Sequence, residues 1–178
     1  MTLLASYGVT IAAITERLRS LIANVDPSTT VTARHPAAAR TDLQGTSVNV
    51  LLYQDGLTYH RDGVDPTGES RLIGAELRYL VNVYPADELD VGAESHRVFG
   101  VARAAVEGSP VVTATLPSGA TESAQLMATG LTLVDLTSLW LASGAPLRLA
   151  FGVTVRVAVT GSRSATDAIE RAAAWRNS

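Results

Sequence analysis

At 178 residues and 18.6 kDa, with 47% hydrophobic and 17% charged residues, the chain is long enough to bury roughly 70% of its unfolded surface and reads as one globular domain rather than a disordered tail. It contains no Cys, which excludes disulfides, thiolate catalysis, iron–sulfur clusters and Cys-based zinc sites. Its 14 basic residues, all Arg, against 17 acidic ones give a net charge of -3, so it lacks the basic excess that a nucleic-acid binder needs to displace counterions from phosphates.

The uncharged start, with Leu3, Leu4, Ala5 and then Val9 to Ile14, has no basic n-region. Glu16, Arg17 and Arg19 follow on a continuing apolar period, which argues against a signal peptide. No stretch reaches the roughly 20 apolar residues of a membrane span, and a soluble, cytoplasmic protein is expected. Ile11, Ile14, Leu18, Leu21, Ile22 and Val25 recur at three and four, predicting an amphipathic helix from about Val9 to Ala23 that Asp26-Pro27 ends. Thr29 to Ala33 is short and β-rich. After His35-Pro36 and a small-residue loop, Val48 to Tyr53 is apolar on both faces, as a central strand covered on both sides would be.

From Gln54 to Gly68 the turn pairs Asp55-Gly56, Asp62-Gly63 and Asp65-Pro66 predict a loop that carries Tyr59 and His60. Leu72 to Tyr84 reads as a strand with Ile73, Ala75, Leu77, Tyr79, Val81 and Val83 inward, and Glu76, Arg78, Asn82 and Tyr84 on a polar outer face. An acidic linker, Pro85 to Glu94, feeds a second helix lined by Val98, Phe99, Ala102, Ala105 and Val106 and stopped by Gly108 and Pro110. Val111 to Leu116 and Ser123 to Leu133 flank Pro117-Ser118-Gly119 as a hairpin. Thr132 with Asp135 three residues on starts a third helix, and Gly144 with Pro146 stops it. Unbroken alternation from Leu147 to Thr160 is the clearest strand signal in the chain. The architecture expected is therefore an α/β (α+β) domain over residues 1–161, a mostly antiparallel sheet with about three packed helices. Residues 162–178 remain as a C-terminal arm or helix in which Trp175 needs a surface to rest on.

Catalytic signatures are absent from this pattern. Without Lys there is no Walker loop, and no nucleophile elbow, zinc-protease helix or deaminase motif occurs. His35, His60 and His96 stand apart with no partner at ligand spacing. The cluster Asp87, Glu88, Asp90 and Glu94 with His96 lacks the alternating ligands and central Gly of a calcium loop, and reads as a solvated linker entering a helix. Tyr59, His60 and Arg61 read as an exposed loop or a protein-contact patch, since a general base needs an orienting partner that the sequence does not show. Trp140 belongs to the core. Arg148 and Arg156, outward on the last strand, are either solvated edge charges or interface residues. No cofactor and no metal are expected.

Three blocks resemble a known family: "VNVLLYQ" at 48–54; "LRYLVNVY" with "ESHRVFGVARAAVEGSPVV" across 77–112; and "LTLVDLTSLWLASGAPLRLAFGVTVRVAV" at 131–159. In this order and spacing, jointly with Asn49, Tyr53, Tyr79, His96, Gly100, Pro110, Trp140, Gly144 and Pro146, they are similar to the sheath-and-tube terminator, or cap, family of extracellular contractile injection systems. The stretch "DGLTYHRDG" after Tyr53, Ala150 where a Ser is common, and the tail beyond Gly161 depart from the family pattern.

The resemblance implies a structural protein without an active site. Its copies would form a homo-oligomeric, sixfold ring on the last layer of the inner tube and engage the last sheath layer, within an assembled particle that is made in the cytoplasm and can be released. On that reading Tyr59, His60, Arg61, Arg148, Arg156 and Trp175 are the interface candidates. Another phage-tail-like assembly protein, such as a connector or completion protein, is the first alternative. A small enzyme or ligand-binding domain using Asp87, Glu88 and His96, or Tyr59 and His60, is the second.

Overall fold

The computed structural model describes residues 3–64, 70–87 and 92–162. Its first helix, α1 (Leu3–Val25), buries Ile14, Leu18 and Ile22, spaced four residues apart on one face as the apolar period requires. It begins six residues before the expected start. Thr15, on the same side, shares a 2.9 Å hydrogen bond with the hydroxyl of fully buried Tyr79, whose pKa burial pushes up to about 12. In chain order there follow β1 (Thr30–Thr32), a 3-10 turn (Pro36–Ala38), β2 (Ser47–Val64), β3 (Ser70–Tyr84), α2 (Ala93–Glu107), β4 (Val111–Thr115), β5 (Thr121–Thr129), α3 (Leu133–Ser143) and β6 (Leu149–Ser162).

The strands form one sheet in the order β1-β2-β3-β6-β5-β4, antiparallel throughout except for the β1–β2 pair. This is the expected α+β class. Leu77, Tyr79, Val81 and Val83 of β3 and Phe151, Val153, Val155, Val157 and Val159 of β6 meet Ile14, Leu18, Val98, Ala102 and Val106 in a continuous core. Helices α1 and α2 cover this inner face. Both edge strands, β1 and β4, also rest against α1, so the sheet curls around that helix.

Phe99 of α2 meets Phe151 edge-on, with ring centroids 5.5 Å apart. Two residues before Phe99, Arg97 donates to Asp26 at 2.9 Å and to Glu94 at 2.7 Å, tying the end of α1 to the start of α2. Asp26 lies well below the usual carboxylate range, held there first by the Ser28 hydroxyl and then by Arg97 and Thr29. Glu94 is lowered chiefly by Arg97. A carboxylate with a depressed folded pKa stabilises fully above its unfolded value, about 4, and loses that contribution as pH falls through the folded value. The melting temperature should therefore hold from neutrality to about pH 5 and fall below about pH 4. Asp26→Asn should melt lower at pH 7 yet show a shallower acid limb. Thermal melts of both proteins across that range check this, and parallel curves would remove the clamp from the account.

Two expectations change in the structure. The stretch 54–64 is strand, not loop: Gln54, Asp55, Gly56 and Leu57 pair with Arg78, Leu77, Glu76 and Ala75, so Tyr59, His60 and Arg61 lie on β2. Asp55-Gly56 makes no turn because its backbone groups are taken up by the ladder to β3, and Asp55 also accepts a 2.8 Å hydrogen bond from Tyr7 of α1. The register slips between Leu52 and Gln54, where Tyr53 is the extra residue of a bulge, and again between Tyr59 and Val64. Second, β6 is an interior strand between β3 and β5, so Arg156 is not an edge charge, and Arg148, expected on this strand, stands just before it.

Candidate interaction surface

The outer face of the sheet splits into a closed end and an open end. At the closed end the segment from Arg34 to Gly45 folds over β2 and β3, burying Ser47, Asn49, Leu80, Asn82 and Tyr84. Asn49, with no exposed surface, is the fastening: its Oδ1 accepts from Thr32 Oγ1 and from the Arg34 amide, both at 2.8 Å, and its Nδ2 donates to the Arg34 carbonyl at 2.9 Å. Asn82 donates to the Tyr84 hydroxyl at 2.9 Å, and that hydroxyl donates to the Pro36 carbonyl at 3.2 Å. Asn82 and Tyr84, expected on a polar outer face, are thus interior. The Arg148 guanidinium stacks 5.5 Å over the Tyr84 ring.

At the open end the ladder brings side chains of five strands into rows. Gly56, Glu76, Arg156, Gln125 and Val111 form one row, and Gln54, Arg78, Thr154 and Met127 the next. Glu76 accepts from Arg156 and from Arg78, both at 3.1 Å, and these two, Arg156 first, hold its pKa below the usual range. Because Arg156 is largely exposed, this pairing is worth little by itself. It does leave the row without an unbalanced charge.

Helix α3 lies across this outer face. Its start is the capping box expected from the sequence: Thr132 Oγ1 accepts from the Asp135 amide, while Asp135 Oδ2 accepts from the Thr132 amide, each at 3.1 Å. The Thr132 hydroxyl, which donates to Oδ2 at 2.7 Å, and then the Thr132 amide keep the Asp135 carboxyl below its usual range. Gly144 ends the helix with φ 62°, the left-handed value that favours glycine. The chain leading into α3 approaches β6 at Gly152, where an added Cβ would lie 2.5 Å from Thr129 Oγ1. Trp140 is the only buried residue of α3. Between α3 and the sheet Tyr53, Arg78, Asp135 and Thr154 line a cleft of about 420 Å³, and burial raises the Tyr53 hydroxyl pKa.

The opposite side of α3 is aliphatic and open, with Leu133 75%, Val134 74% and Leu141 78% exposed. Sequence reading missed this surface. The signal was present, since Leu133, Val134, Leu136, Leu139, Trp140 and Leu141 make a short helix apolar all round, a pattern found in buried or partnered helices.

Of the anticipated positions, Tyr53, Arg156 and Trp140 gather on this outer face around α3, and Asn49 and Arg148 at its closed end. His96 lies on the first turn of α2, 3.1 Å from the Gly92 carbonyl, and Glu94 is engaged by Arg97. A side chain at Gly100 would meet nothing, so packing does not require glycine there. Pro110 precedes β4 and its carbonyl accepts from Leu126. Glu88, Asp90 and Trp175 are outside the described residues, as is all of the anticipated C-terminal arm beyond Ser162. Among the described residues no group of His, Asp and Glu is placed to hold a metal ion, and no helix is long and apolar enough to cross a membrane.

Residues 10–172 match the Pvc16 N-terminal domain family. The chain belongs to that family. Two solved structures share its fold. One is the PVC sheath/tube terminator of an extracellular contractile injection system in the extended state, with a TM-score of 0.63 and 14% identity, covering 84% of this chain and 56% of that one. The other is the anti-feeding prophage tube-terminating cap, with a TM-score of 0.56 and 14% identity, covering 86% of this chain and 54% of that one. The chain thus corresponds to about half the length of the terminators it is similar to. No curated protein matches it. The resemblance read from the three sequence blocks and this family assignment agree, and the Pvc16 N-terminal domain match also runs beyond the last block into the segment after Ser162.

Proposed function

We propose that this protein is the terminator of a contractile injection particle. Its copies form a ring, with sixfold symmetry expected, that seats on the distal end of the inner tube and anchors the last sheath layer. The observation that carries the reading is the terminator fold itself, in a chain assigned along nearly its whole length to the Pvc16 N-terminal domain family. An outer face bearing an open aliphatic helix is consistent with a part that works by being covered rather than by turning over a substrate. The role has no catalytic step. In keeping with that, His96, a candidate for an enzymatic alternative, is engaged with the Gly92 carbonyl at the start of α2. The particle assembles in the cytoplasm and can then be released. Residues 162–178 serve as an arm to a neighbour, a reading that rests on Trp175 in a segment otherwise rich in polar and small residues.

Electron microscopy of particles from producing cells with and without this gene tests the role. Loss should give overlong, frayed or missing particles whose uniform length returns on complementation. Normal particles would end the terminator reading, and a defect confined to the tip end would favour another tail-assembly part. Complementation with a chain ending at Gly161 isolates the arm, since it should fold and yet restore uniform length poorly.

A further inference from the structure

We infer that neighbouring copies of this chain join edge to edge at the far end of the sheet, the unpaired margin of β6 on one copy taking the unpaired margin of β2 on the next. The inference rests on the ring reading above and names the contact that would build it. Strand β1 pairs with β2 only over Ser47 to Asn49, so from Val50 onward β2 has a strand on its β3 side alone. Strand β5 pairs with β6 only over Gly152 to Val157, which leaves Ala158 to Ser162 held by β3 alone. Along Ser70 to Gly74 of β3 the sheet is therefore three strands wide, β2-β3-β6, with both margins open. Among the described residues no backbone group of another segment bonds to either margin.

An open margin is a row of backbone N–H and C=O groups, and the protein partner that satisfies such a row is an extended strand. Here the two margins are unlike and lie on opposite sides of the same three strands. One contact can thus repeat from copy to copy until a ring closes and no edge is left. A strand from another protein would cover one margin and leave the second open. The chain also continues from Ser162, at the end of the β6 margin, into the segment read above as an arm to a neighbour.

Register supports the junction. Strand β2 is irregular between Leu52 and Gln54 and between Tyr59 and Val64, so its regular open run is Gln54 to Tyr59, close in length to Ala158 to Ser162. Neither run contains Pro, and the one charge, Asp55, is already bonded to Tyr7. Both β2 and β6 are antiparallel to β3, so copies set side by side in one orientation meet as parallel strands, the pairing that β1 and β2 already make. Centring the runs puts Ala158, Thr160 and Ser162 beside Gln54, Gly56 and Thr58 of the next copy, which keeps the alternation of faces in step. Within one copy Ala158 shares a row with Thr58, so this register is a stagger of four residues. That is about 13 Å along strands whose three spacings add to about 14 Å, a tilt of about 40°. Sheets that close on themselves tilt by roughly 35–45°.

The chain has no Cys, so paired substitutions read the contact directly. Gly56→Cys with Thr160→Cys puts one thiol on each margin, and an added Cβ at Gly56 meets nothing. Within a copy β3 lies between the two positions, beyond the roughly 7 Å between Cα atoms that a disulfide tolerates, so every bridge joins two copies. Circular dichroism and melting of the reduced variant should match wild type. Mild oxidation is applied to purified chain at high micromolar concentration and to particles from gene-deleted cells complemented with the variant. A ladder of covalent multimers longer than dimers, from either sample, is the expected result, whereas each single variant should stop at a dimer. No ladder from both samples would overturn the contact and leave the margins to strands of other proteins. An equal ladder from Gly56→Cys with Thr113→Cys, which moves the second thiol to β4, would overturn it too. Particle length in gene-deleted cells reads the terminator role separately. Normal particles alongside a ladder from the purified chain would remove the role and leave the contact standing.

Discussion

Asn49→Ala should lower the unfolding free energy by about 2–4 kcal/mol. The amide makes three hydrogen bonds with no exposed surface of its own, and all three hold the segment entering the 3-10 turn against β2. Truncation leaves the amide and the carbonyl of Arg34 without their partner, and a buried polar group left unmatched costs more than a typical hydrogen bond contributes. Asn49→Asp is expected to be no milder. It retains an acceptor for the Arg34 amide but turns a second oxygen toward the Arg34 carbonyl and buries a charge. Urea unfolding at 25 °C, with an unchanged denaturant slope, measures both, and a loss below 1 kcal/mol for alanine would mean that the loop over Tyr84 is held by something else.

Trp140→Ala should cost about 3–5 kcal/mol, the range for removing a large aromatic side chain from a packed site. Its second consequence is local, because Trp140 is the one buried residue of α3 and so fixes the helix that carries Leu133, Val134 and Leu141. The indole Nε1 has no hydrogen-bond partner among the described residues. Trp140→Phe removes that donor while keeping most of the ring, and should cost much less than the alanine change. Hydrogen exchange localises the effect: the amides of 136–143 should lose protection in Trp140→Ala while those of β3 and β6 keep theirs. Equal loss throughout the sheet would place Trp140 in the main core instead.

These two residues were read from sequence with different depth. Trp140 could be assigned to a core from its apolar surroundings, and the boundaries of its helix from Thr132, Asp135 and Gly144, because capping chemistry is local and complete within a few residues. Asn49 stood out only as part of a family pattern. Its bonds go to Thr32 and Arg34, fifteen or more residues away, and no local rule reports a partner at that separation.

The α+β class, the hairpin at Pro117–Gly119, the inward alternation of β3 and β6, and the likeness to terminators were all legible along the chain, carried by short-range periodicity and the spacing of words. Tertiary structure decided the rest. Asp55-Gly56 signals a turn in isolation, yet the long ladder to β3 satisfies its backbone and keeps it extended. Asn82 and Tyr84 look solvent-facing by alternation, yet a loop from before β2 covers them. Arg156 looks like an edge charge until strand order, set by packing around α1, makes β6 interior. Which aliphatic residues remain uncovered was likewise settled only when α3 came to rest on the sheet, because exposure belongs to the packed whole and not to any segment of it.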